Sequence, residues 1–317
     1  MTVGNAGAHS LKFRSTTARR APTGAHQVIE IDELEPEASF HAQDVIVHAK
    51  AQIRAATSHQ IPMLPEGAQR AMSIAGDPDV SIKTLASLIE PDAGTTARVL
   101  VIANGPLYAP AKKVVNLKSA IMLLGVGLVR DILYQSVAEA HIFRGDSAKM
   151  LKRQQAHGVA VGHLMRALSG HLGLNRDFAF LAGLLHDIGK VILRQMLDRA
   201  PPVNYDPEHD EEILASLHAE IGHHVCQRWD LPLAVAEVAK RHHDFDTSGR
   251  DTYSQLGHVA AAAERLAHHV GLASDGSQKS LDGDGMFLLY RLGLDEAAID
   301  EAIKTAETVA QHVDALG

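Results

Sequence analysis

Short helix signals separated by turn residues run through the first half of this chain, and they constrain its fold more than any other feature. Apolar residues recur at helical spacing over residues 39–57, and Ser81 and Asn116 each precede another apolar helical segment, where they can act as N-caps. Gly125 follows the second of these segments as a stop signal. No run over residues 66–143 alternates with period two, which argues against a sheet. The pattern therefore predicts an all-α fold with a helical bundle in this half.

We expect four regions along the chain. Residues 1–38 mix Ser, Thr, Gly, Ala and Arg without an apolar period, so they are predicted to form a flexible tail. Residues 39–150 form the first helical half, and residues 151–270 form a second helical half that carries most of the histidines. Residues 271–317 are predicted to contain a Gly/Asp/Ser loop followed by one amphipathic helix.

The composition predicts a soluble protein with a sizeable core. Hydrophobic residues make up 46% of the 317 residues, and 30 Lys and Arg face 38 Asp and Glu, for a net charge of -8. Because no dense basic stripe is present, we expect no nucleic-acid partner. The sequence shows no signal peptide and no apolar run of about 18 residues, so we expect a cytoplasmic protein without membrane contact. The single cysteine, Cys226, excludes an internal disulfide and is expected to be a buried small hydrophobe.

An adjacent His–Asp pair is the first candidate for chemistry. Residues 183–190 read Gly-Leu-Leu-His-Asp-Ile-Gly-Lys. We therefore expect an apolar helix that ends at His186 and Asp187 and places both side chains in the interior. An imidazole and a carboxylate side by side suit a divalent cation such as Mn, Fe or Zn. For an isolated pair, the alternative is that Asp187 caps a backbone turn and His186 is a hydrogen-bonded core residue. Further ligands elsewhere in the chain decide between the two.

The histidines of the second half have a regular spacing. Gaps of 29 residues (157 to 186), 31 (187 to 218), 24 (218 to 242) and 21 (243 to 264) place one His- or carboxylate-bearing segment on each of five consecutive helices. This arrangement resembles the HD superfamily of metal-dependent phosphohydrolases. It supports the metal hypothesis for the His–Asp pair.

The first half resembles a narrower group, the HDOD module, an HD-related output domain of bacterial signalling proteins. With Trp-Asp-Leu-Pro at 229–232 and the His pair at 242–243, the resemblance covers about residues 60–270 and implies a helical HDOD fold. The motifs of the first half are Leu-Pro at 64–65, Asp-Pro at 77–78, Leu-Ala at 85–86, Pro-Asp at 91–92, Leu-Val-Ile-Ala-Asn at 100–104, Tyr108, Leu117, Ala-Ile at 120–121 and Leu-Gly at 124–125.

The resemblance implies a set of metal ligands, carried over motif by motif. The set is His157, His186, Asp187, His218, His242, His243 and Glu264. Glu264 stands where the family has Asp, which keeps the carboxylate but extends it by one methylene. Relatives that cleave cyclic dinucleotides carry Gly-Tyr-Pro after the His pair, whereas residues 244–249 read Asp-Phe-Asp-Thr-Ser-Gly, which argues against that activity.

Two classes of function stay open. The resemblance implies a regulatory signal-transduction protein that acts by protein or ligand binding, with one or two bound divalent ions (Fe, Mn or Zn), a signalling partner on a separate chain and a possible nucleotide ligand. The alternative is a metal-dependent phosphohydrolase that acts on a nucleotide or another phosphoester. There Lys190 would hold a phosphate oxygen, although it can also be a solvated cation at a helix end.

The remaining histidines of the second half have no spacing that recruits them to the site. We therefore assign them to surface or core packing. They are His163, His171, His223, His224, His268 and His269.

Overall fold

A computed structural model describes residues 42–105, 108, 110–145, 147–174, 176–203, 205–243 and 252–315. The predicted tail over residues 1–38 and the segment over residues 244–249 lie outside these residues. All described residues belong to one compact unit, and none of them forms a β-strand. The predicted all-α fold is therefore confirmed.

Among the described residues, six helices form the first half, and two of them start at the predicted caps. The Ser81 hydroxyl accepts from the Thr84 N–H at 3.0 Å, and the Asn116 side chain accepts from the Ser119 N–H at 2.8 Å. Gly125 has a φ of +84°, which lets the chain turn sharply between two helices. The helices are α1 (Ala42–Gln60), α2 (Glu66–Ala75), α3 (Ile82–Ile89), α4 (Ala93–Ala103), α5 (Leu117–Leu124) and α6 (Val126–His141).

Among the described residues, eight further helices form the second half and the C-terminal region, together with a short 3-10 turn at Pro207–His209. The longest, α7, packs against α8, α12 and α14 and forms the central element of this half. The helices are α7 (Ala148–His171), α8 (Ala179–Leu185), α9 (Ile188–Arg199), α10 (Asp210–Arg228), α11 (Leu233–Arg241), α12 (Thr252–His269), α13 (Asp284–Arg291) and α14 (Glu296–Ala315).

Helix α13 lies where a loop was predicted, so the prediction for the C-terminal region was incomplete. Its apolar residues include Leu288 and Leu289, which are buried against the core, and the helix packs on α12. The segment is only eight residues long and glycines stand at its start, so its local signal is weak and packing stabilises it.

Close backbone approach between α7 and α8 fixes the position of the His–Asp pair. A Cβ atom on Gly183 would lie 2.6 Å from the backbone nitrogen of Gly162, and one on Gly162 would lie 2.8 Å from the carbonyl oxygen of Phe180. No side chain fits at these distances, so glycine is required on both helices. The end of α8 therefore lies directly against α7.

The two halves contact each other through α1, α2 and α10. The indole N–H of the buried Trp229 donates to the carbonyl oxygen of Pro62 at 2.8 Å, and the Gln69 amide donates to the carbonyl oxygen of Trp229 at 3.1 Å. On α1, Arg54 pairs with Glu220 of α10 at 2.9 Å. A large buried side chain from one half thus packs on the backbone of the other.

Buried charges also join α6 to the second half. The Asp131 carboxylate, 3% exposed, pairs with the Arg166 guanidinium of α7, and Arg130 donates to Asp177 at 3.2 Å. Burial raises the pKa of Asp131 to about 7, although both arginines act in the opposite direction. This carboxyl is therefore sensitive to pH near neutrality.

No single helix among the described residues is long and apolar enough to cross a membrane. Helices α5 and α6 reach the length and apolar composition of a membrane-spanning segment only when they are counted together, and a bend of 114° separates them.

Candidate metal centre

Five helical segments bring all seven candidate ligands into one region of the second half. Among the described residues, three groups of side chains have ligand atoms within 4.8 Å of one another, and the first group shares one member with each of the other two. The first is His157, His186 and Asp187; the second is Asp187, His218, His242 and His243; the third is His157, Glu264 and His268.

Backbone carbonyl groups fix the orientation of four imidazole rings. In each ring Nδ1 lies within hydrogen-bonding distance of a carbonyl oxygen, and because a carbonyl only accepts, Nδ1 must carry the hydrogen. The Nε2 lone pair is then turned toward the centre of the site. The pairs are His157 with Leu272 (2.8 Å), His186 with Gly183 (2.7 Å), His218 with Leu214 (2.8 Å) and His242 with Ala239 (3.0 Å).

In the first group, two imidazole nitrogens face a carboxylate oxygen and have no donor of their own. The Nε2 atoms of His157 and His186 lie 3.9 Å and 3.6 Å from Oδ2 of Asp187, and both nitrogens are buried without a hydrogen-bond partner among the described residues. Burial holds the pKa of His186 well below its usual value, so that ring carries no compensating proton at neutral pH. A cation at this point would satisfy both nitrogens.

The second group repeats this arrangement on the other carboxylate oxygen. Oδ1 of Asp187 lies 3.5 Å from Nε2 of His218 and 3.5 Å from Nε2 of His242. Nε2 of His218 lies 3.3 Å from Nε2 of His242 and 2.9 Å from Nε2 of His243. Burial lowers the pKa of His218 to about 4 and that of His243 to about 3, so both rings are neutral at pH 7. His243 lies at the exposed edge of the group, while His218 and His242 are buried.

The Lys190 ammonium and the His242 ring both face the carboxylate of Asp187. The Lys190 ammonium donates to Oδ2 at 2.6 Å, and the contact with Asp187 raises the pKa of His242, although burial alone would lower it. Burial also acts to raise the pKa of Asp187, but His186, Lys190 and His242 together hold it well below its usual range. The carboxylate is therefore ionised and able to bind metal at neutral pH.

The structure places Lys190 beside Asp187, where it is not a solvated cation. It lies in the first turn of α9, so the interpretation as a cation that completes the dipole at a helix C-terminus is wrong. Its ammonium group is engaged by Asp187, and the side chain is only 19% exposed. The proposed contact with a phosphate oxygen stays a prediction.

The third group contains a residue that the sequence analysis assigned to packing. His268 lies one turn after Glu264 on α12, with Nε2 3.8 Å from Oε1, and its ring centroid is 5.5 Å from that of His157. The structure therefore places His268, which the sequence analysis assigned to packing, beside two of the candidate ligands. The spacing of four residues between a carboxylate and a histidine on one helix face was the signal that could have found it.

The donor set fits a transition metal ion. It combines neutral imidazole nitrogens with carboxylate oxygens, which is the ligand mixture that Fe, Mn and Zn accept. The outer nitrogens of four rings are anchored by backbone carbonyl groups, and such second contacts orient metal-binding histidines. The unpartnered buried Nε2 atoms of His157 and His186 and the unpartnered Oδ1 of Asp187 are the atoms that an ion would satisfy.

The sequence profile of the HDOD domain matches residues 61–245, which is more than half of the chain. This chain belongs to the HDOD family. The matched range includes every member of the first two donor groups. Glu264 and His268, which belong to the third group, lie beyond residue 245.

Solved structures show the same fold as this HDOD protein. A candidate metal-dependent phosphohydrolase from Shewanella amazonensis superposes with a TM-score of 0.63 at 22% identity, covering 84% of this chain and 99% of that one. An HDOD domain protein from Geobacter sulfurreducens gives a TM-score of 0.58 at 21% identity, covering 85% and 95%. At these identities the likeness concerns the fold alone.

Two sequence relatives are longer than this HDOD protein. An uncharacterised protein of Treponema pallidum (strain Nichols) is 25% identical over 213 residues, which are 64% of this chain and 41% of that protein. A ribonuclease Y of Thermus thermophilus is 30% identical over 150 residues, 47% of this chain and 22% of that enzyme. The chain therefore spans less than half the length of either relative.

Proposed function

We propose that this HDOD protein is a regulatory signal-transduction protein that holds two divalent metal ions and acts by binding a partner protein or a ligand. The observation that carries the metal proposal is the convergence of imidazole nitrogens on both oxygens of Asp187, where Nε2 of His157, Nε2 of His186 and Oδ1 of Asp187 are buried without a hydrogen-bond partner among the described residues. Facing acceptors repel one another unless a cation lies between them, and two separate groups of donors meet at the two oxygens.

Each ion has its own set of ligands, and Asp187 belongs to both. His157, His186 and Asp187 would hold the first ion, and Asp187 would hold the second with His218, His242 and His243. Fe, Mn and Zn all suit these donors. A divalent ion in such a site supplies Lewis acidity toward a phosphoryl or carbonyl oxygen.

Two features favour binding over catalysis. Glu264 stands in place of the family's Asp, and the sequence after His243 lacks the Gly-Tyr-Pro of the relatives that cleave cyclic dinucleotides. In this proposal the partner is a signalling protein on a separate chain, and a nucleotide is a candidate ligand.

Phosphoester hydrolysis is the second candidate function. The completeness of the donor set supports it, because a purely structural role does not require seven ligands from five helical segments. His243 lies at the exposed edge, where a substrate can approach the second ion. The names of the fold neighbour from Shewanella amazonensis and of ribonuclease Y are consistent with such chemistry.

Elemental analysis of the purified protein tests the metal proposal. After growth with Mn, Fe and Zn supplied, we expect about two equivalents of transition metal per chain, and none in the Asp187→Ala variant. His171→Ala is the matched control, because His171 lies at the far end of α7 beside Glu301 and should leave the metal content unchanged. Absence of metal from the unmodified protein at neutral pH would refute the proposal.

A turnover assay separates the two candidate functions. Cyclic dinucleotides and simple phosphoesters are supplied with Mn or Fe under reducing conditions, beside a His186→Ala/Asp187→Ala double variant at equal concentration. We expect no difference between the two proteins. Metal-dependent turnover above about 0.1 per second that is lost in the double variant would approach ordinary enzyme rates and would favour the hydrolase.

A further inference from the structure

The solvent-facing side of α5 carries apolar residues where a surface helix is normally polar. The opposite side, which faces the core, is formed by the buried residues Leu117, Ala120 and Ile121. On the solvent side Met122 is 72% exposed and Leu123 is exposed as well, and Val115, just before the helix, is 74% exposed. Single exposed apolar residues are ordinary, but several together on one face mark an interaction site.

Hydrogen bonds of Asn104 hold this face in place. The Asn104 amide donates to the carbonyl oxygen of Val114 at 2.9 Å, and its side-chain oxygen accepts from the Val114 N–H at 2.9 Å. Val115 is therefore fixed at the junction of α4 and α5, which pack against each other. Val101, three residues before Asn104 on α4, is also exposed, so the apolar area continues onto that helix.

The charge around this face is positive and is not neutralised by the described part of the chain. Residues 93–130 contain five Lys and Arg and no Asp or Glu, although the whole chain has a net charge of -8. The two arginines of this stretch pair with carboxylates elsewhere in the chain. Lys112, Lys113 and Lys118 are exposed and form no ion pair with a described residue. These three ammonium groups are therefore available to the carboxylates of another molecule.

We propose that the α5 surface (Lys112, Lys113, Val115, Lys118, Met122 and Leu123) binds an acidic segment of the partner protein that carries apolar residues on one side. This inference rests on the proposed function and names the face to which the signalling partner binds. The apolar side of the segment covers Met122 and Leu123, and its carboxylates meet the lysines at the rim. Methionine adapts its shape to the side chains that cover it, which suits a binding surface.

A lipid or nucleic-acid surface fits these features less well. Basic clusters that bind anionic lipids contain about four to eight Lys or Arg, whereas the α5 surface has three lysines. Helix α5 is eight residues long and its other side is buried in the protein, so few apolar residues could enter a bilayer. Exposed Met and Leu side chains gain little from nucleic-acid phosphates. An acidic protein segment engages both the apolar and the charged residues.

A fluorescent peptide tests the proposal on the full chain. The acidic probe has about 15 residues, with Leu at helical spacing on one side and Asp and Glu on the other. A copy with Lys and Arg in place of Asp and Glu is the charge-reversed probe. We expect only the acidic peptide to bind, and its affinity should fall as salt is added, because salt screens exposed charges.

Substitutions on the α5 surface have matched controls elsewhere on the protein. Met122→Ser removes apolar contact and Lys118→Glu repels carboxylates, so each should weaken binding of the acidic peptide at least about 10-fold. The controls are Met63→Ser, at a methionine that is 53% exposed before α2, and Lys304→Glu, at an exposed lysine of α14. Both should bind the peptide like the unmodified protein. All four residues are exposed, so each variant should keep the unmodified melting temperature.

Other occupants of the α5 surface give different results. Absence of peptide binding, or equal affinity in all four variants, would refute the surface as the docking site of an acidic segment. Vesicles with anionic phospholipid that bind the unmodified protein but not Lys118→Glu, with no such difference for the peptide, would assign the surface to a membrane. A dimer in sedimentation that Met122→Ser dissociates would assign it to a second copy of this chain. Either assignment would overturn the proposal.

The metal centre is tested independently of the α5 surface. If the protein holds two metal ions and the acidic peptide does not bind, the docking proposal fails and the metal centre stands. If the peptide binds at the α5 surface of a protein that holds no metal, the metal centre fails and the docking surface stands.

Discussion

Gly189→Ala is expected to disrupt the metal centre without removing a ligand, because Gly189 sets how closely α9 approaches α10. A Cβ atom at this position would lie 2.6 Å from the carbonyl carbon of His218 and 2.8 Å from the nitrogen of Gly222, and closer still to the His218 oxygen. An ordinary contact begins at 3.4 Å, so the backbone of α10 must move by at least 3.4 − 2.6 = 0.8 Å. His218 moves with it.

The expected effect follows from two magnitudes. Metal–ligand distances tolerate a deviation of only about 0.2 Å, so a shift of the size required at Gly189 should remove His218 from the second ion. Overpacking of this kind costs about 1–3 kcal/mol, from which the helix preference of Ala over Gly recovers about 0.5–1 kcal/mol. For a chain of this size each kcal/mol lowers the melting temperature by about 2–4 °C.

Gly222→Ala provides the matched control at the same helix crossing. A Cβ atom on Gly222 would meet its nearest neighbours at 3.4–3.5 Å, which is ordinary contact, so this variant should keep its metal and be as stable as the unmodified protein or more so. Elemental analysis and thermal unfolding with and without chelator measure both effects. A Gly189→Ala protein with full metal content and an unchanged melting temperature would show that the helix contact does not position His218.

Three further predictions concern stability. Burial raises the pKa of Asp131 to about 7, above its value of about 3.9 in the unfolded chain, so its contribution is favourable at low pH and is lost as the pH rises from about 4 through 7. Asp131→Asn should remove this slope from denaturant unfolding measured across that range, and an identical slope in both proteins would contradict the shift. Lys190→Met should lower the free energy of unfolding by about 2 kcal/mol in the presence of chelator. The decrease should be smaller in the presence of metal, because an ion replaces the ammonium group as the partner of Asp187. An equal decrease in the free energy of unfolding under both conditions would contradict this. The isolated fragment of residues 151–317 should lack sharp side-chain NMR signals, since it exposes Trp229 where the first half covers it; a native-like spectrum would show independent halves.

The sequence by itself determined the helices and most of the donor set. Caps such as Ser81 and Asn116 act within one turn, so their hydrogen bonds could be read from neighbouring residues and are found in the structure. The resemblance to the HDOD and HD families implied the seven ligands, and the structure places each of them in one of the three connected donor groups. The resemblance was informative here because the ligands lie at definite positions on five helical segments.

Only the tertiary structure decided which donors meet and which charges are already engaged. His268 lies beside His157 because α12 packs against α7, and Asp131 of α6 is engaged by Arg166 of α7. The anchoring of His157 by the Leu272 carbonyl joins residues 115 positions apart. Such contacts depend on how closely two helices cross, and that distance is set by the side chains and glycines of both partners together, which no single segment of sequence specifies.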